Sequence, residues 1–242
     1  MNKFIYILIS LTFFISCKKE TNCLITAGST TIETVYLEPF SSIEINHFLN
    51  VDWIESDEYR IKIQGGNNFI SGVSHEVKGD LLKLVNNNGC KALRRNVDNI
   101  LITVYSPKID SLTVRGNGKV TFKDTLKNNL IFNSIANQAS VRLLLNNNFT
   151  RFYLESGSTD ITVNGKNRYC DYYNSGIVHF YGQNFQVDSF RCHSRANGIT
   201  EIRANSWLHI EQNGSGDINY WGNPSDINIT SYLGEGKIIK RE

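Results

Sequence analysis

The chain has 242 residues, 20% of them charged, and a formal net charge of +2. So weak a field gives no hold on nucleic acid or other acidic polymers. Three prolines, 18 glycines and several Asn clusters favour turns over helices, so the chain reads as all-β.

Residues 1–17 read as an export signal. Lys3 supplies the positive start, Phe4 to Ile15 is an apolar run broken by Ser10 and Thr12, and Ser16-Cys17 closes it. The run is too short to cross a bilayer as a helix. A small residue directly before Cys17 resembles a bacterial lipobox, in which that Cys becomes the lipidated N-terminus, although Phe14 stands where Leu is most usual. A conventional signal peptide with an incidental Cys is the alternative. Residues 18–31 have no core-forming pattern and suit a tether. Their Lys18-Lys19-Glu20 start resembles the signal that sends some lipoproteins to the outer face of the outer membrane. The expected location is therefore the outer membrane, lipid-anchored, on its periplasmic or cell-surface face.

Residues 32–242 are expected to form one domain, irregular β over 32–110 and repeating coils over 111–242. Alternating segments mark strands at Ser42–Ile45, Val51–Trp53, Tyr59–Ile63 and Leu81–Leu84. Ile100–Tyr105 is more continuously apolar and is expected to be buried on both faces. Gly65-Gly66, Lys78-Gly79-Asp80 and Asn86-Asn87-Asn88-Gly89 are turns, and Asn67–Ser74 is the one stretch suited to a helical turn.

From Ser111 a phrase recurs: a small residue, then an alternating apolar pair. It runs through Gly118-Lys119-Val120-Thr121-Phe122, Gly176-Ile177-Val178-His179-Phe180 and Gly198-Ile199-Thr200-Glu201-Ile202 to Gly236-Lys237-Ile238. With Phe122, Leu143, Val163, Phe180, Ile202, Tyr220 and Lys240 as equivalents, the steps are 21, 20, 17, 22, 18 and 20 residues. A period near twenty implies stacked coils that bury a core only together. The residue two before the aligned small residue is usually small or polar (Gly116, Asn137, Ala196, Gly214, Gly234) and marks a sharp bend. Asn128-Asn129 and Asn146-Asn147-Asn148 fall at the opposite ends of coils, where stacked Asn can ladder hydrogen bonds. The expected fold is a right-handed parallel β-helix-like solenoid of about twenty-residue coils, the hand following the crossover rule. An antiparallel meander is the alternative.

Cys170 and Cys192 each lie six residues before a glycine of the repeat, an offset shared with the apolar Leu112, Phe152 and Ile210. Buried thiols and a disulfide between neighbouring coils both fit, because adjacent strands lie about 4.8 Å apart. No CxxC pair occurs, and His47, His75, His179, His193 and His209 show no HxH or HxxxH spacing. Neither a metal site nor a cofactor is expected.

The order Phe40–Ile45, Val51–Ile54, Tyr59–Ile63, Leu81–Leu84, Ile100–Pro107 and Leu112–Gly118 resembles the opening of the auto-transporter adhesin head GIN domain family. The ending Gly214–Ile218, Tyr220–Pro224 and Gly234–Ile238 is similar to that family's last coils. The likeness covers about residues 32–240, although Ser134–Ser140 and Arg195–Gly198 lack the family's usual Gly-Ser-Gly and should bend less tightly. It implies a β-helix-like domain on an exported bacterial lipoprotein, an adhesin by label, with no established reaction or catalytic residue.

A catalytic β-helix would need convergent carboxylates. Asp160 and Asp217 share a phase but stand three coils, or about 14 Å, apart at the spacing of stacked strands. His179 and Glu201, one coil apart at one phase, could meet outside as a surface ion pair or as a dyad. No phosphate-binding loop is present, and Ser215 lies in a Gly-rich turn rather than a nucleophile elbow. If Phe180 and Tyr220 point inward, Tyr181, Arg203 and Trp221 face outward in one ladder. Such a ladder either contacts a surface glycan or protein, or satisfies itself with Arg203 between two rings. The leading reading is a non-enzymatic envelope lipoprotein that binds a glycan or protein, with a membrane partner only through its lipid. A carbohydrate-active enzyme and a ligand-free structural protein are the alternatives.

Overall fold

The computed structural model describes residues 26–89 and 100–242. The lipidation expected at Cys17, with the signal and most of the tether, lies outside the described residues. So do Cys23 and Cys90.

The chain forms a β-solenoid of about six turns with coils near twenty residues, 65% strand and 2% helix. Its strands in chain order are β1 (Thr30–Tyr36), β2 (Ser42–Asn46), β3 (Asn50–Glu55) and β4 (Arg60–Gly66), followed by the helical turn α1 (Asn67–Ile70). Then come β5 (Val73–Lys78), β6 (Leu81–Asn86), β7 (Leu101–Ser106), β8 (Ser111–Arg115), β9 (Gly118–Phe122) and β10 (Leu130–Asn137). The last coils contain β11 (Ala139–Gly157), β12 (Asp160–Asn174), β13 (His179–Tyr181), β14 (Phe185–Ser194), β15 (Thr200–Gln212), β16 (Ile218–Trp221), β17 (Asp226–Tyr232) and β18 (Ile238–Lys240).

Two long sides result. The first stacks β2, β8, β10, residues 149–157 and 169–174, β14, residues 207–212 and β17, all parallel. The second stacks β3, β9, residues 139–146 and 160–165, β13, residues 200–203, β16 and β18, also parallel. Stacking therefore begins ahead of Ser111. Strands β2 and β3 sit between β6–β7 on one side and β8–β9 on the other. A sequence repeat cannot show this layer, because residues 56–110 interrupt it. That N-terminal end finishes in antiparallel pairs, β5 on β6 and β1 on β4 on β7.

Strand β7 departs from its expected double burial. Ile102, Val104 and Ser106 are buried, whereas Leu101, Thr103 and Tyr105 are half-buried. The guanidinium of Arg60 lies 3.7 Å from the centre of the Tyr105 ring, so long β4 side chains rather than a second core cover that face.

Alternation along each strand sends one apolar residue in two to a common core. Phe132, Phe152 and Tyr172 stack in one column, and Phe180 crosses from the second side to meet Phe152 edge-on at 5.1 Å and Tyr172 at 4.8 Å. The buried Tyr172 hydroxyl is satisfied by Asn174 at 2.8 Å and Thr200 at 3.3 Å, so its burial leaves no orphan polar group. At one end of three successive coils Asn147 Nδ2 donates to the Asn128 carbonyl at 2.9 Å, and Asn167 Nδ2 reaches the Asn147 carbonyl at 3.4 Å. This is the expected Asn ladder.

At the other end two columns of small residues run two positions apart. Gly116, Asn137, Gly157, Gly176, Ala196, Gly214 and Gly234 form one; Gly118, Ala139, Thr159, Val178, Gly198, Gly216 and Gly236 form the other. A Cβ at Gly214 would run into the Ala196 carbonyl below it, which is why that bend needs glycine. The coil of Gly176 departs from the expected alignment. Gly176 belongs to the first column, and Val178 fills the second. The residue level with Val163 and Ile202 is therefore Gly182, not Phe180: Ile161 pairs with Phe180 and Phe180 with Thr200. The same two-residue slip separates the thiols. Cys170 pairs with Thr150 and Phe190, Cys192 with Tyr172 and Ile210. Both are free and buried, and burial raises both thiol pKa values.

Candidate binding face and its ladders

The slip dissolves the expected Tyr181–Arg203–Trp221 ladder. Arg203 and Trp221 are register partners, but Tyr181 pairs with Thr162 and Glu201, two residues away. Arg203 Nε donates instead to the Gln183 carbonyl at 2.7 Å. Tyr181 stacks beside His179, ring centres 6.3 Å apart and 17° from parallel. Burial, then the charges of Asp160 and Glu201, raise its pKa. His179 and Glu201 do not meet either. His179 pairs with Asp160 below and accepts the Ile199 amide at 3.1 Å, while burial raises the Glu201 pKa. Asp160 and Asp217 stand three coils apart, as their phase requires.

Long outward ladders form on the first side, where the register from Leu130 to Ser194 is close to unbroken. Three columns lie on the outer face, with Asp171 covered by its neighbours. Phe149, Tyr169, Ser189, Trp207 and Asp226 make one; Ile131, Arg151, Asp171, Arg191, His209 and Asn228 the next; Asn133, Tyr153, Tyr173, His193 and Glu211 the third. Twenty-residue coils put like residues over like. Phe149 and Tyr169 lie 6.0 Å apart and 7° from parallel, and Tyr153 and Tyr173 5.0 Å apart and 16° from parallel. Stacks of this kind turn ring faces toward one another and leave a ridge of apolar ring edges on the outer surface.

Between the two aromatic columns runs a charged one. Asp171 accepts from Arg151 Nε through Oδ2 and from Arg191 Nε through Oδ1, each at 2.9 Å. Burial works to raise the Asp171 pKa, but the bonds and charges of Arg191 and Arg151 outweigh it and hold the carboxyl below its ordinary value. The column keeps one surplus positive charge beside the rings, and the Arg151 guanidinium lies 5.6 Å from the Phe149 ring centre.

At the C-terminal end of the same side His193 Nδ1 lies 2.7 Å from Glu211 Oε2, and His209 Nε2 lies 3.7 Å from Glu211 Oε1. The Trp207 ring stacks on His209 at 5.7 Å. Hydrogen bonding by His193, ahead of the opposing effect of burial, lowers the Glu211 pKa. Motif spacing missed this cluster because no HxH or HxxxH is present. The signal was His209-Ile210-Glu211, which on a strand puts both side chains on one face, with His193 one coil earlier.

Residues 39–224 match the family described as "Putative auto-transporter adhesin, head GIN domain". The chain belongs to that family. No curated protein matches it. Among solved structures this head GIN domain is similar to a putative adhesin from Bacteroides fragilis, at 20% identity over 90% of this chain and 100% of that one, TM-score 0.83. It is also similar to two Parabacteroides distasonis proteins, each at 16% identity. A putative adhesin has TM-score 0.62 and coverage of 88% of this chain and 98% of that one. A putative lipid binding protein has TM-score 0.65 and coverage of 89% and 98%. At these identities the likeness is one of fold.

Proposed function

We propose that this head GIN domain is a non-catalytic binding module of the bacterial cell envelope, tethered by a lipid on Cys17, and that its first long side grips carbohydrate. Family membership and the exported, lipobox-like leader support the location. The observation that carries the binding reading is the Tyr153–Tyr173 stack, with Tyr153 39% exposed, set beside the Arg151–Asp171–Arg191 column. Sugar rings present flat apolar faces edged by hydroxyls. The apolar ridge of the stacked tyrosines meets the faces, and the exposed guanidinium groups of Arg151 and Arg191, held in place by Asp171, donate to the hydroxyl edges. The surface is open and repetitive, which suits an extended polymer better than a small enclosed ligand.

The test is a glycan array probed with the full chain in detergent, wild type against Tyr153→Ala/Tyr173→Ala. Retention of a related group of glycans, lost in the double variant, is the expected result. Equal retention by the variant, or none by the wild type, would remove the carbohydrate reading. A Cys17→Ser change should move the protein from the membrane fraction to the soluble one, and unchanged fractionation would rule out the lipid tether.

A further inference from the structure

We propose that His193, His209 and Glu211 form a binding site for one zinc-class divalent ion on the outside of the solenoid. Among the described residues these three side chains each offer a ligand atom, and all three atoms lie within 4.8 Å of one another. The backbone sets this convergence. His209 and Glu211 are two apart on β15 and so share its outward face, while β14 places His193 directly level with Glu211.

The spacing fits a tetrahedral ion. Zinc bonds of about 2.0–2.1 Å put neighbouring ligand atoms about 3.3 Å apart. The His193–Glu211 and His209–Glu211 separations of 2.7 and 3.7 Å, measured to the two carboxylate oxygens, lie on either side of that value, and all three ligand atoms fall within 4.8 Å of one another, so side-chain rotations on a fixed backbone can close the set. Two imidazoles and one carboxylate form a donor set suited to zinc and its transition-metal neighbours, not to calcium, which takes oxygen ligands only.

The surroundings fit as well. The Thr230 hydroxyl from β17 lies 3.3 Å from His209 Nε2 and 3.4 Å from Glu211 Oε1, placed to hydrogen-bond a water in the fourth position. Trp207 lies flat against His209 and limits its ring to few orientations. Arg191, the register partner of His209, is turned to Asp171 at 2.9 Å. The soft thiols of Cys170 and Cys192 are inside the core and cannot compete for the ion. The inference is independent of what the first side binds.

The experiment is titration of the full chain with Co²⁺ under reducing conditions, followed by Zn²⁺ competition, for wild type, His193→Gln, Glu211→Gln and His75→Gln. These side chains lie outside the core, and a matched melting curve confirms the fold of each variant. One Co²⁺ per chain should appear with the visible absorbance of a four- or five-coordinate site and be displaced by Zn²⁺. Both the His193 and Glu211 variants should bind at least tenfold more weakly, while His75→Gln matches wild type. Binding by His193→Gln and Glu211→Gln at wild-type strength, as from Cys17, Cys23 or Cys90, would overturn the proposal. So would the absence of any spectroscopic site in the wild type.

Discussion

The two long sides of this solenoid are built from the same coils, yet their outer surfaces differ. On the first side the register climbs evenly from β10 to β14 and shifts only beyond it, at Ile210/Glu211, so Tyr153 stacks on Tyr173 and Asp171 sits between two arginines. On the second side the coil containing Gly176 uses Val178 where its neighbours use glycine or another small residue, and like residues no longer meet. A repeat organises a surface only where its phase is kept. Where the phase slips, the core tolerates the change because apolar residues substitute for one another, whereas a ladder that depends on identity is lost.

The largest expected effect tests the core that both sides share. Phe152 comes from the first side and meets Phe180 from the second at 5.1 Å, with Phe132 at 5.8 Å. Phe152→Ala should cost about 3–5 kcal/mol in urea unfolding, the usual range for a buried aromatic truncation. A loss under about 1 kcal/mol would mean that the sides do not share one packed interior.

Next comes Gly165, which ends the second side at φ +121°, with the Leu145 carbonyl in the way of a Cβ. Gly165→Ala combines backbone strain with overpacking and should cost about 2–4 kcal/mol. Ser189, in the exposed aromatic column of the first side, is not at a positive-φ position, so Ser189→Ala should change stability by less than about 0.5 kcal/mol.

A smaller effect belongs to Asp171→Asn. Its arginine partners are exposed, so solvent screening limits the loss to about 1 kcal/mol near neutral pH. The sign follows from the lowered folded pKa of Asp171. Its contribution is complete above the unfolded carboxyl value of about 3.9 and disappears as pH falls through the lower folded value. Acid unfolding curves of wild type and variant should therefore converge below pH 4. Curves that stay parallel would show that the carboxylate does not couple to folding.

The smallest stability effects separate the two surfaces. Tyr153→Ala and Trp221→Ala should each cost less than about 1 kcal/mol, since both side chains lie outside the core. Only the former should weaken glycan retention. Loss on Trp221→Ala with none on Tyr153→Ala would move the binding face to the second side.

The period, the all-β class, the helical turn at Asn67, the Asn ladder and the buried thiols were legible in the sequence because each follows from local spacing. The phase of one coil was not. Gly176-Ile177-Val178 looks like Gly198-Ile199-Thr200, and only the stacked backbone shows that Gly176 lies level with Gly157 and Ala196. That slip of two moved Tyr181 out of line with Arg203 and Cys170 out of line with Cys192. It preserved the inward and outward alternation, so composition could not reveal it. The layer of β2 and β3 was hidden for a different reason, since residues 56–110 separate it from the coils it joins. The His193–Glu211 contact needed both an i, i+2 reading of His209 and Glu211 and the correct step between coils.

The register of the second side is the claim on which the two-sided account rests, and a pair of cysteine cross-links tests it directly. In the full chain, Tyr181→Cys/Glu201→Cys places the new thiols on register partners. Stacked strands lie about 4.8 Å apart, within reach of a disulfide. Tyr181→Cys/Arg203→Cys places them two residues out of register, about 8 Å apart by the same spacing and a rise of about 3.3 Å per residue. Mild oxidation followed by mass-spectrometric mapping should find the 181–201 bond and not the 181–203 bond. The reverse pattern would restore the Tyr181–Arg203–Trp221 ladder and contradict the account.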